Sequence, residues 1–123
     1  KRKGTIRGIH FQSTPFEENK LIRCVKGKMF DVVVDLRKHS ETYGKWIYFR
    51  LSEKNQRMVF ISKDYAHGIQ TLSDNCLFLY QMSQYYSPSH STGIRWDDPT
   101  INIQWPIKRH IIVSSKDKKL PFL

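Results

Sequence analysis

A few polar side chains in this sequence could do proton chemistry if folding brought them together. His10 lies in Arg7-Gly8-Ile9-His10-Phe11-Gln12. In an extended segment His10 and Gln12 share a face. Arg7, three residues back, falls on the other face unless Gly8 bends the strand. An imidazole there could take and give protons near neutral pH, or be a satisfied structural histidine. Lys20 precedes an apolar run and could present a cation or be a solvated strand end. His67, in Tyr65-Ala66-His67-Gly68, could bind a ligand or sit in a turn. Tyr80 ends Leu77-Phe78-Leu79-Tyr80, where a core aromatic with a satisfied hydroxyl is the structural alternative. Asp117, in Ser114-Ser115-Lys116-Asp117-Lys118-Lys119, reads as an acid or as part of a solvated loop. None of these is decisive alone.

The elements that must position them are strands. The chain has no long 3.6-residue stripe but many short β-rich runs. Leu21–Lys26 and Met29–Leu36 flank Gly27-Lys28, a hairpin signal. In the second run Phe30, Val32, Val34 and Leu36 share one face, and Asp31, Val33 and Asp35 the other. Lys45–Leu51, Arg57–Ile61, Gly68–Leu72, Cys76–Met82 and Ile101–Trp105 are further strand candidates. Turn-rich pieces, including Ser52–Gln56, Ser73-Asp74-Asn75 and Ser87–Gly93, separate them. Lys108–Leu123 carries no clear pattern. Closely spaced short strands predict an all-β sandwich or barrel, of which the jelly roll is one form.

Several classes of chemistry lack their motifs. His10-Phe11-Gln12 has no second histidine for a His-x-His metal set, so no metal is expected. There is no Gly-rich phosphate loop and no G-x-S-x-G elbow. Cys24 and Cys76 lie inside apolar runs with no CxxC spacing. They are expected to be buried, reduced thiols of a cytoplasmic protein.

The order of motifs along the chain says more than any one of them. Arg7-Gly8-Ile9-His10-Phe11-Gln12 is followed by Lys20-Leu21-Ile22-Arg23-Cys24-Val25-Lys26-Gly27 and Phe30-Asp31-Val32-Val33-Val34-Asp35-Leu36-Arg37. Then come Tyr43-Gly44-Lys45-Trp46, Ala66-His67-Gly68, Phe78-Leu79-Tyr80 and Tyr85-Tyr86-Ser87-Pro88. Gly93-Ile94-Arg95-Trp96-Asp97-Asp98-Pro99, Trp105-Pro106 and Ser115-Lys116-Asp117 complete the series. Over nearly its whole length the chain resembles the dTDP-4-dehydrorhamnose 3,5-epimerase family.

The resemblance implies a cupin-type jelly roll, a homodimer, and no metal or organic cofactor. It implies inversion of C3 and C5 of dTDP-4-dehydro-6-deoxy-glucose, giving dTDP-4-dehydro-rhamnose in dTDP-L-rhamnose synthesis. By position, His10 matches the family's proton acceptor and Asp117 the acid paired with it. Lys20 matches the lysine beside the keto oxygen, and Tyr80 the proton donor. Arg7, His67, Lys116 and Tyr86 match substrate-contacting positions, and Gln12 is grouped with them. Ser91 stands where family members often have a substrate-contacting Glu, and the Ser62-Lys63-Asp64-Tyr65 loop lacks a Pro-containing turn. Only Lys1–Ile6 precede the Arg-Gly-x-His motif. Residues 1–123 are therefore expected to be a single catalytic domain lacking the family's leading segment.

The chemistry independently calls for these residue types. Epimerisation beside a ketone needs a base near neutrality, which imidazole supplies. A carboxylate on the far ring nitrogen fixes the tautomer and stabilises the imidazolium. A fixed cation in a dry site stabilises the enolate oxygen. A phenol, ionising near ~10, arrives protonated and can return a proton to the opposite face. These residues specify proton abstraction beside a ketone, and do not specify whether C3, C5 or both invert.

The charge balance is consistent with this reading. The 123 residues carry 21 Lys and Arg against 11 Asp and Glu, a formal net charge of +10. A diphosphate accounts for part of that excess. Much of the rest lies in Lys1-Arg2-Lys3, Lys108-Arg109 and Lys118-Lys119, expected to be solvated. A basic nucleic-acid-binding β domain is the rival class, but no nucleic-acid motif occurs, and the aromatics are expected in core or pocket. A non-catalytic sugar-nucleotide binder is the third reading. No apolar run reaches the roughly 18 residues of a membrane helix.

Overall fold

The computed structural model describes residues 2–123. Along the chain it forms β1 (Thr5–Gln12), β2 (Lys20–Lys26), β3 (Lys28–Asp35), β4 (Trp46–Ser52) and β5 (Met58–Ile61). These are followed by β6 (Tyr65–Thr71), β7 (Leu77–Met82), β8 (Ser91–Gly93), β9 (Ile112–Val113) and the single-turn helix α1 (Ser115–Lys118). Two sheets result. The larger runs β4-β3-β6-β1-β8, with β9 added parallel to β1; the smaller runs β5-β2-β7. This is an all-β sandwich of the cupin-type jelly-roll kind.

The alternation in β3 sets the layering. Met29 and Val33 point between the sheets into a core with Ile22, Cys24, Leu51, Val59, Ile61 and Ile69. Phe30, Val32 and Val34 point to the other face of the large sheet, where Ile94, Ile101, Ile103 and Trp105 cover them. β3 is therefore buried on both faces, which is why it reads as a nearly continuous apolar run.

Three sequence expectations change here. Gly27-Lys28 is no hairpin: β2 pairs with β5 and β7, and β3 with β4 and β6. Gly27, at φ +81°, instead turns the chain from one sheet to the other. A Cβ there would lie 2.4 Å from Ser73 Oγ. Ile101–Trp105 is not a strand. Its alternating apolar residues pack on the back of the large sheet, so burial produced the period without a ladder partner. Conversely, β8 lies inside a stretch read as turn, and β9 in the stretch that had no pattern. Both are too short to carry a periodic signal, and both are held by β1.

Some aromatics also fall outside core and pocket. Tyr48, Phe60 and Tyr85 are exposed. Tyr48 and Phe60 lie on sheet faces turned away from the inter-sheet core, where period-2 alternation sends every second side chain. Cys24 and Cys76 are buried, with their sulfurs 4.0 Å apart. Burial and the neighbouring thiol push the Cys24 pKa up to about 12, so it stays a thiol. Among the described residues no helix is long and apolar enough to cross a membrane.

Candidate active site

A cavity of about 620 Å³ opens between the two sheets, within the size range of small-ligand pockets. One wall is the inner face of the large sheet, with Arg7, His10, His67 and Ile69; the other is the small sheet, with Lys20, Phe78, Tyr80 and Met82. Gln12, Tyr86, Ser91, Lys116 and Asp117 complete the lining reached by sequence reasoning.

The large-sheet wall depends on an irregularity in β1. Its register against β6 runs Arg7↔Ile69 and then His10↔His67, so three steps on one strand match two on the other. This is a β-bulge, and it changes the parity of the strand. Ile6 and Ile9 both enter the back core, while Arg7 and His10 both line the pocket. Gly8, at φ +115°, makes the bulge possible. A Cβ there would lie 2.8 Å from His67 O and 2.9 Å from Gly68 Cα.

The same strand recruits the far end of the chain. β9 runs beside Thr5 and Ile6, and Ser114 then caps α1 by accepting the Asp117 N–H at 3.1 Å. The turn brings Asp117 to the bulge, 107 residues from His10. His10 Nε2 donates to Asp117 Oδ1 at 2.7 Å, and the Gly8 N–H donates to Oδ2 at 3.1 Å. Asp117 is buried, and not part of a solvated loop as its flanking lysines suggest; Lys116 and Lys118 are exposed. Burial alone would raise the Asp117 pKa. The hydrogen bond and charge of His10, the Gly8 N–H and Arg7 outweigh it and hold the pKa below the ordinary aspartate value. An ionised Asp117 fixes the proton of His10 on Nε2 and leaves the Nδ1 lone pair available.

On the opposite wall, the β2–β7 register sets Lys20 beside Met82 and Ile22 beside Tyr80. Lys20, Ile22, Tyr80 and Met82 therefore point the same way, into the sandwich. The Lys20 ammonium lies 3.3 Å from Glu18 Oε1, with both side chains largely buried. Tyr80 remains partly open to the cavity. At the rim the Lys116 ammonium stands 3.4 Å from the Tyr86 hydroxyl. Ser91 faces the cavity from β8.

Gln12 is placed differently from the other residues grouped as substrate contacts. Its Nε2 donates to Phe16 O at 2.7 Å and Tyr85 O at 3.3 Å, and its Oε1 accepts from the Ser87 N–H at 2.8 Å. Its amide is committed to the backbone of two loops flanking the pocket, so its geometry is that of a tie between them.

Two acidic residues at the site were missed by sequence reasoning as functional candidates. Asp31 is fully buried and accepts from His67 Nε2 at 2.9 Å, so His67 also has a carboxylate behind it. The signal was a charged residue in the middle of the apolar β3 run. Glu18 lines the cavity two positions before Lys20, where an extended chain places both on one side. Among the described residues, no group of three or more His, Cys, Asp or Glu side chains converges as a metal site would require.

Known proteins resemble this chain in sequence and fold. A family model described as dTDP-4-dehydrorhamnose 3,5-epimerase matches residues 1–123. The dTDP-4-dehydrorhamnose 3,5-epimerase of Sinorhizobium fredii is 43% identical over 120 residues, spanning 98% of this chain and 62% of that protein. A crystal structure of the Bacillus anthracis enzyme of the same name, with TDP and PPi bound, superimposes at TM-score 0.96 and 42% identity, covering 99% of this chain and 69% of that one. The dTDP-6-deoxy-D-glucose-3,5-epimerase of Legionella pneumophila, in complex with dTDP-4-keto-L-rhamnose, superimposes at TM-score 0.94 and 37% identity, covering 98% and 64%. The chain spans a little under two thirds of the length of curated relatives such as the Sinorhizobium fredii, Methanothermobacter thermautotrophicus and Shigella flexneri proteins.

Proposed function

This chain belongs to the dTDP-4-dehydrorhamnose 3,5-epimerase family, and from that premise we propose that it is the catalytic part of an isomerase that inverts carbons beside the keto group of a dTDP-linked 4-keto-6-deoxy sugar. The substrate in this reading is dTDP-4-dehydro-6-deoxy-glucose and the product dTDP-4-dehydro-rhamnose, within dTDP-L-rhamnose synthesis. The working protein is a cytoplasmic homodimer that uses no metal or organic cofactor.

The observation that carries the reading is the 2.7 Å contact between His10 Nε2 and the buried Asp117 carboxylate, facing a cavity whose other wall holds Lys20 and Tyr80. His10 Nδ1 takes the proton from the carbon next to the ketone. The electron pair moves onto the C4 oxygen, and the Lys20 ammonium stabilises the enolate. The imidazolium is stabilised by Asp117. Tyr80, on the opposite wall, returns a proton to the other face of the carbon, and the carbonyl re-forms. Opposed walls are what inversion requires, because a single acid–base group on one side would return the proton where it came from. Arg7, His67, Lys116 and Tyr86 bind the sugar nucleotide, with cations available to the diphosphate.

The test is solvent exchange. Incubated with dTDP-4-dehydro-6-deoxy-glucose in deuterated water, the complete protein is expected to place deuterium at C3 and C5. Label at one carbon alone would assign a single-centre epimerase. Label at neither would remove the epimerase reading.

A further inference from the structure

Among the described residues, Glu18 is the one charged side chain of the cavity wall without a role in the reaction above. It lies between Pro15 and the start of β2, with its side chain 5% exposed. Oε1 lies 3.3 Å from the Lys20 ammonium. Oε2 is buried and has no hydrogen-bond partner among the described residues. A buried carboxylate with one oxygen bare is costly, and native proteins seldom keep one without a use for it.

The other half of the pair is equally unusual. A lysine at a strand end ordinarily extends its flexible stem and keeps its ammonium in water. Lys20 is only 12% exposed, drawn into the wall that faces His10 across the cavity. The other charged or ionisable groups on the cavity are Arg7, His10, His67, Tyr80, Tyr86, Lys116 and Asp117, and the carboxylate paired with Lys20 is that of Glu18.

We propose that Glu18 is a positioning residue that holds the Lys20 ammonium at the cavity wall, ready for the enolate oxygen. The proposal rests on the role given to Lys20 above. It follows from the balance of two effects. A negative charge beside Lys20 weakens the field at the enolate, so the charge of Glu18 is no help to the chemistry. Its oxygen, by contrast, removes the need to reorganise a four-bond side chain as the reaction proceeds, and that is where preorganised electrostatics gains most. An oxygen at this position matters, and the charge on it does not.

The experiment compares Glu18→Ala and Glu18→Gln in the complete protein by deuterium wash-in, alongside wild type and Lys20→Ala. Glu18→Gln keeps an oxygen for the ammonium and is expected within about threefold of the wild-type kcat. Glu18→Ala is expected to lose ten- to a hundredfold in kcat with KM changed by less than about threefold, because the interaction strengthens in the transition state. Wild-type kcat in Glu18→Ala would overturn the proposal, as would an equal loss in Glu18→Gln with both variants melting normally. If Glu18→Ala does not fold, Glu18→Asp decides: it keeps the charge but withdraws the oxygen by one methylene. It is expected to lose kcat where Glu18→Gln does not, and equal rates in those two would overturn the proposal. No label with the wild type, or full activity in Lys20→Ala, would instead defeat the functional reading on which the proposal rests.

Discussion

Asp117→Asn separates the charge of the dyad from its shape. The carboxylate accepts two hydrogen bonds, one from His10 Nε2 at 2.7 Å and one from the Gly8 N–H at 3.1 Å. An asparagine of the same shape has one acceptor and one donor. The Gly8 N–H can only donate, so it takes the amide oxygen. The amide NH2 then faces His10 Nε2, which must accept. The imidazole is forced to carry its proton on Nδ1, where the wild-type protein keeps the lone pair that abstracts the substrate proton. The fold around the bulge is kept, and the base arrives already protonated at the working atom. Amide-for-carboxylate changes behind a catalytic imidazole cost roughly 10⁴ in turnover, equivalent to about 5.4 kcal/mol of barrier. We expect kcat for deuterium wash-in to fall by about 10³ to 10⁴ with little change in KM and a folded protein by circular dichroism. A folded variant retaining more than a tenth of the wild-type rate would refute both the tautomer argument and the place of Asp117 in the reaction.

Two further changes test the scaffold. Gly8→Ala places a methyl 2.8 Å from His67 O at a backbone angle that side chains avoid, so it should destabilise by about 3 kcal/mol or more in chemical denaturation and abolish wash-in; a near-wild-type midpoint would show that the bulge can be remade. Asp35 anchors the loop after β3 through Arg37, Thr42 and Ser40, and the Arg37 guanidinium beside it, helped by the Thr42 and Ser40 hydroxyls, holds its pKa well below the ordinary aspartate value. A depressed folded-state pKa stabilises the fold above the unfolded value and loses that contribution as pH falls through the folded one. Asp35→Asn should therefore melt lower than wild type at pH 7, with the gap closing as the pH drops below about 4. A gap that is constant with pH would contradict the assignment.

The layering was legible where the chemistry of a strand is local. The β3 run announces both cores because alternate residues must face opposite sides. Legibility failed where distant packing decides. Ile101, Ile103 and Trp105 alternate like a strand because the sheet behind them is apolar, and nothing local distinguishes packing from pairing. Asp117 sits among lysines that advertise solvent, and its burial comes from β9 docking against β1. The resemblance put His10 and Asp117 together across 107 residues where composition and spacing could not. Asp31 showed only as a charge inside an apolar run, and Glu18 needed the fold, since its carboxylate becomes informative only when its surroundings are seen to be dry.

The slip between Arg7 and His10 sets the strand's own stability against its usefulness. Deleting one residue there would restore an even ladder against β6 and remove the need for an unusual glycine. Deleting Gly8 would leave Arg7 and His10 two positions apart and still on the cavity face, but it would take away the N–H that holds Asp117 Oδ2 at 3.1 Å. A shorter, better-paired strand would thus give up one of the two hydrogen bonds that hold the carboxylate behind His10. Length variation among related chains should be tolerated in the loops on either side of β1 and absent within Arg7–His10.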